Sequence, residues 1–188
     1  MKRAFFLIIA ALLVGAGGVG GWFASRELED PETVTETSTA TLTTTSASAV
    51  GLPSAVEETR IALLEAAESG DYEKLRPLVP DTGFEFTFGD PVAGGAIAYW
   101  RELERTSDER PLATLTEILR LPYTLSRGIY VWPFAYDVAS LGDLTEHERE
   151  LLGPLGPLES VFVEGTGYLG WRAGIRSDGA WVFFLAGD

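Results

Sequence analysis

Arg172 stands inside GYLGWRAGIRSDGAWVFFLAGD, residues 167–188, where almost every neighbour is apolar or glycine. A guanidinium in such company is costly to bury unless it is paired. Two arrangements satisfy it. It can face a cavity and bind an anion or carboxylate, or it can stack on Trp or Phe rings and pair with a carboxylate of its own domain. The aromatics Tyr99, Trp100, Tyr130, Trp132, Trp171 and Trp181 have the chemistry to line a sugar or peptide groove. Their spacing suits the buried faces of strands and helices as well. Trp132, beside Pro133, is the one expected to be exposed. The ligand-binding candidates are therefore Arg172, Trp132, Tyr130, Trp171 and Trp100.

Other chemistry is thinner. His147 is the only histidine, and one imidazole cannot build a His-rich metal site. No G-x-S-x-G is present to pair it with a serine nucleophile, so a surface histidine is expected. FGDPVAGG, residues 88–95, has the strand–turn–helix form that can hold phosphate on backbone N–H groups. Its spacing fits neither dinucleotide nor P-loop fingerprints, and Asp90 would repel an anion. Glu85, Asp137 and Glu164 lie near predicted strands, where two carboxyls in a cleft would hydrolyse glycosides or hold a cation. No spacing ties any two of them together. Without cysteine there is no thiolate site, disulfide or thiol nucleophile. No metal and no cofactor is expected, and no residue is assigned a catalytic role.

Charge narrows the partners. The chain carries −14, and residues 54–188 hold 23 acidic against 11 basic residues, a balance of −12. Such a surface repels phosphate backbones, so nucleic acid is not an expected partner, and anionic lipid would not hold this part of the chain. There is no asparagine or glutamine, and lysine occurs only at Lys2 and Lys74. Loss of amides is a thermophile habit, and codon bias explains the preference for arginine equally well.

The elements that must position these residues begin after two atypical segments. Lys2 and Arg3 precede an uncharged run, Ala4 to Ser25. At about 1.5 Å per residue the run can span a hydrocarbon core of roughly 30 Å. Positive charge before it and acidic residues after it predict a single-pass anchor, residues 1–24, with the N-terminus cytoplasmic and the body outside. The alternative is a cleaved signal peptide and a secreted or periplasmic product. Residues 25–53 are rich in Thr and Ser, acidic at first, and have almost nothing to bury, which predicts a disordered tether. The domain is expected over 54–188, a normal size for a single core.

Within it, Ser54 and Glu57 read as a capping box for a helix whose inward face is Val56, Ile61, Leu64 and Ala67, stopped at Gly70. Asp71 caps a short second helix. FEFTFG, residues 84–89, alternates as a strand, and Asp90-Pro91 reads as the cap of the helix AIAYWRELER. Pro111 opens a helix with Leu112, Leu115, Ile118 and Leu119 inward, ended by Pro122. IYVWPFAYD is predicted as a strand that Pro133 confines to an edge or a bulge. Asp143 and Glu146 read as caps of LTEHERELL, and VFVEG as a strand. Around Asp178-Gly179, a two-residue turn would set Arg176 opposite Trp181, Gly174 opposite Phe183 and Arg172 opposite Leu185. Trp171, Ala173, Ile175, Val182 and Phe184 would then share the other face. Helices first and antiparallel strands last predict an α+β fold, N-terminal helices packed on an antiparallel sheet ending in a C-terminal β-hairpin.

Two resemblances accompany this reading. ALLEAAESGDYEKLRPLV, residues 62–79, resembles the opening helices of nuclear transport factor two-like domains, which implies a cone-shaped α+β fold. FTFGDPVAGGAIAYW, PLATLTEILRLP and YVWPFAY, with the GWRAGI and FFLAGD ends, are similar to small uncharacterised exported bacterial proteins. That resemblance implies export and a single domain and brings no activity. The function expected is a membrane-tethered extracytoplasmic module that binds a small ligand or an envelope protein without catalysis. The alternatives are a carboxylate-based hydrolase or isomerase with a pocket near Arg172, and a structural envelope component.

Overall fold

The computed structural model describes residues 51–89 and 92–187. The predicted anchor, most of the tether and the Asp90-Pro91 cap lie outside the described residues. Among those described, no helix is long and apolar enough to cross a membrane.

The fold is α+β, with helices against an antiparallel sheet. Helix α1, Ser54–Glu68, buries Val56, Leu63, Ala66 and Ala67. The expected face was rotated, because a period of 3.6 puts residues 56, 63 and 67 in one line and leaves Ile61 exposed on its flank. The capping box does not form: Pro53 precedes the helix without a side-chain cap. Arg60 takes the Glu57 carboxylate instead, at 2.8 and 2.6 Å, and also donates to the Leu119 carbonyl at 3.0 Å. That second bond ties α1 to the end of the helix α4, Pro111–Arg120. Gly70 follows the helix with φ 71°. Asp71 caps α2, Tyr72–Leu75, by accepting from the Glu73 N–H at 2.9 Å.

Residues 84–89 are not a full strand. Only Glu85 pairs, as a parallel bridge to Phe183. Phe84 and Phe86 pack inward and Phe88 turns outward, because the chain leaves the sheet edge after one residue to enter α3, Gly95–Thr106. That helix follows an N-cap at Gly94 (φ 87°), later than the sequence suggested. Helix α4, Pro111–Arg120, buries Leu112, Leu115, Ile118 and Leu119 as expected.

The sheet order is β1 (Thr124–Ser126), β2 (Ile129–Trp132), β5 (Arg172–Arg176), β6 (Trp181–Leu185), all antiparallel. Strand β2 lies inside the sheet, not at an edge. Pro133 follows its last residue, so the missing N–H costs no ladder bond. Helix α5, Glu146–Leu152, is capped by a Thr145–Glu148 capping box, not by Asp143 and Glu146, which lie two residues ahead of the positions that cap it. VFVEG contributes only β3, Phe162–Val163, paired with β4, Gly167–Tyr168.

The hairpin turn uses three residues. Arg176 N–H donates to the Ala180 carbonyl at 2.9 Å, and Gly179 takes φ 86°. Ile175 therefore faces Trp181, and one extra residue in β6 restores the expected Gly174–Phe183 and Arg172–Leu185 pairs. The bulge puts Trp181, not Val182, on the core face with Ala173, Ile175 and Phe184. Gly174 carries the Phe183 ring directly over its Cα, and any Cβ there would meet that ring. The turn docks on α1, where the Thr59 hydroxyl donates to the Gly179 carbonyl at 2.6 Å. The main core lies between α1, α3, α4 and the sheet, and a smaller one gathers Ala135, Leu144, Leu152, Phe162 and Tyr168.

Candidate functional site

Arg172 opens β5 on the sheet face away from the main core, paired across to Leu185, and is 8 % exposed. Its Nη2 donates to the Gly187 carbonyl at 2.6 Å and its Nη1 to the Gly170 carbonyl at 3.3 Å. The guanidinium carbon lies 5.4 Å from the centre of the Phe88 ring and 5.9 Å from that of Tyr136. These rings are 52 and 37 % exposed, so they roof the cation on its solvent side. The arginine thus draws three remote pieces together: the end of the 84–88 segment, the turn after β2, and the last residues before the C-terminus. The Phe88 contact supplies the ring half of one of the two arrangements expected of it. The carbonyl anchors were not foreseen, since backbone acceptors leave no mark in a sequence. Beside it, Gly170 has no Cβ because the Tyr168 phenol occupies that space. Burial pushes the Tyr168 phenol well above its ordinary value, against a smaller opposing pull from the Arg172 charge.

The aromatic candidates scatter. Trp132 is 1 % exposed, which corrects the expectation that it faces solvent: in an inner strand, its ring turns to the helices and packs on Tyr123 at 5.6 Å. Tyr130, two residues earlier on the same face, packs on Tyr123 at 5.5 Å. Trp171 is half-buried, donates to Glu109 at 2.8 Å and lies 4.6 Å from the Phe184 ring. Trp100 is 0 % exposed, deep between α3 and the hairpin. Arg172 therefore shares no groove with Trp100 or Trp132, whose rings belong to the main core on the other face.

The structure gathers instead a cluster that joins Trp100 and Trp181, both among the groove-lining aromatics named from the sequence, to Phe84 and Phe184, which were not. Trp100 and Trp181 approach to 5.8 Å between ring centres, with Phe184 at 5.2 Å from Trp100. Phe84 closes over them, 4.6 Å from Trp181 and 6.0 Å from Trp100. Both indole Nε1 atoms are fully buried without an acceptor. The strict alternation of Phe84, Phe86 and Phe88 was the available signal for Phe84; Trp181 stood among the aromatics named from the sequence, but its face is set by the bulge.

The carboxylates engage each other little. Glu85, Asp137 and Glu164 are exposed and on separate elements. An open cleft of about 460 Å³ runs between the end of α1, α3 and α4, lined by Glu68, Glu104, Glu117, Arg110 and Arg120. Most of its charge is answered internally. Arg120 pairs with Glu68 at 2.8 Å, the buried Tyr72 hydroxyl donates to Glu104 at 2.8 Å, and Arg110 donates to the Glu109 carbonyl at 2.8 Å. His147 is exposed on α5, 3.9 Å from Glu150. Among the described residues, no group of three or more His, Asp or Glu side chains is placed to hold a metal ion.

No family model, no curated protein and no solved structure matches the chain.

Proposed function

We propose that this protein is a non-catalytic binding module, an α+β domain displayed outside the cytoplasmic membrane on an N-terminal anchor and a Thr/Ser-rich tether. Its partner is a small ligand or an envelope protein and not nucleic acid, because residues 54–188 carry a balance of −12. One observation supports the non-catalytic reading above the others. Every described carboxyl whose acidity is displaced is displaced downward. Arginines hold Glu57, Glu73, Glu102 and Asp178 in the charged form, and the Thr145 cap does so for Glu148. A carboxylate hydrolase needs one carboxyl kept protonated near neutral pH by burial or a like-charged neighbour.

The test is direct. The full-length protein, purified in lipid nanodiscs, is incubated with glycoside, ester and phosphate substrates; no turnover above buffer is expected. Turnover abolished by a single Asp or Glu substitution would restore the hydrolase alternative. Fractionation of cells should place the chain in the membrane, with the domain digested by protease added from outside. Recovery in the soluble fraction would remove the anchor. Oligomers that vanish when residues 1–30 are deleted would point to a structural envelope component.

A further inference from the structure

Two indole N–H groups are buried in one aromatic cluster with no acceptor, those of Trp100 and Trp181. Their residues are 0 and 1 % exposed. A buried donor left unmade is a cost that native cores rarely leave standing, and two side by side call for an explanation. The cover over them is slight. Phe84 and Phe86 are the side chains that close the cluster, Phe84 on both indoles and Phe86 on Tyr99 at 5.7 Å. Among the described residues, their segment is joined to the sheet by two backbone hydrogen bonds, the Glu85 N–H to the Val182 carbonyl and the Phe184 N–H to the Glu85 carbonyl, both 3.0 Å. Glycines with left-handed backbone stand before and after it, Gly83 at φ 74° and Gly94 at φ 87°.

We propose that the space filled by Phe84 and Phe86, between α3 and the β5–β6 hairpin, is a binding site for a flat, uncharged ring that carries a hydrogen-bond acceptor. The ligand takes the place of the phenyl rings, lies beside Trp181 and Trp100 where Phe84 now lies, and brings its acceptor to their N–H groups. A ring suits the site because its walls are rings, Trp100, Trp181, Phe184 and Tyr99. The acceptor is required by the two unanswered donors. Charge is excluded because no cationic side chain lies in the cluster to answer an anion, and the acidic domain repels one. The site is closed in the ligand-free protein and opens when residues 84–88 leave the sheet edge, so a ligand shifts the population toward the open form. This inference rests on the binding-module reading and gives that module a ligand class.

The experiment uses the full-length protein, labelled with nitrogen-15, in lipid nanodiscs. Its five tryptophans give five indole N–H signals, assigned by single Trp→Phe changes. The probes are benzamide (an uncharged ring with a carbonyl), toluene (a ring without an acceptor) and benzoate (a charged ring). Benzamide at millimolar concentration is expected to move the Trp100 and Trp181 signals downfield, with the Trp171 signal, already bonded to Glu109, unmoved. Toluene and benzoate are expected to bind at least tenfold more weakly. Phe84→Ala removes the occupant and should tighten benzamide binding about tenfold; Phe86→Ala tests the same displacement if the first variant does not fold. Toluene binding as well as benzamide, unmoved indole signals, or indole signals already at hydrogen-bonded positions without ligand would each overturn the site. None of these outcomes bears on the turnover and fractionation tests of the module itself.

Discussion

Replacing Arg172 by Met keeps the apolar stem and deletes the charged fork. The structure sets the cost. The bond to the Gly187 carbonyl, at 2.6 Å, is short and charge-assisted; the one to Gly170, at 3.3 Å, is long. Hydrogen bonds from charged groups contribute about 1.5–3 kcal/mol each, so together they amount to about 4 kcal/mol with the longer bond at the low end. The Phe88 and Tyr136 rings add roughly 0.5–1 kcal/mol as cation–π contacts. Against this stands the relief of a buried guanidinium, whose desolvation offsets part of the gain. The expected net loss is about 3 kcal/mol. For a domain of this size, that lowers the midpoint of thermal unfolding by about 10 °C. Urea unfolding followed by near-ultraviolet circular dichroism measures the loss, and hydrogen exchange at the Gly187 amide, which donates to the Leu169 carbonyl at 2.8 Å, reports the local part. A loss below about 0.5 kcal/mol, or unchanged protection at Gly187, would show that desolvation cancels the bonds and that Arg172 does not fasten the chain end.

Three further outcomes are expected. Gly179→Ala forces a side chain onto φ 86° and against the Ala55 carbonyl at 2.8 Å, and should cost about 2 kcal/mol by urea unfolding. Arg76 and Arg101 hold Glu73 down at about 2; its folded value is below the unfolded one, so its contribution is present above the ordinary value of 4.5 and fades as pH falls toward 2, and carbon-13 titration of Arg76→Ala should return it toward the ordinary value. Tyr72 and Tyr168 have folded values raised by burial above 10.0, so their contribution is full below that pH and erodes as pH rises beyond it; alkaline absorbance titration should show two tyrosines lagging the others, and the absence of any lag would contradict their burial.

The helices were the most legible part of the chain, and their caps the least. The stripe Leu112, Leu115, Ile118 and Leu119 is close to an ideal 3.6 period between two prolines, and it stands as expected. Caps depend on one backbone residue, and a competing partner moves them: Arg60 drew Glu57 away from Ser54, and Thr145 outcompeted Asp143. The hairpin was legible at its far end and not at its turn. Asp178-Gly179 suits two-residue and three-residue turns alike, and the choice decides whether Trp181 or Val182 faces the core. FEFTFG carries a strand pattern, but pairing needs a partner edge, and β6 offers it one residue. For the site, the burden on Arg172 was readable from its company, while its carbonyl acceptors were not. Trp132 was misplaced because a proline after a strand was taken as one within it.

The contact between the hairpin turn and α1 has a mechanical side. Thr59 holds the Gly179 carbonyl, and Gly179 lies against the Ala55 carbonyl within the first turns of α1. A pull entering at residue 51 reaches α1 before any other described element. The helix cannot peel away alone, since its first turns are clipped to the turn between β5 and β6, and Arg60 clips its middle to the end of α4. Tension entering α1 is therefore handed to strands more than a hundred residues along the chain, and α1 and the β5–β6 hairpin should yield together in a single rupture.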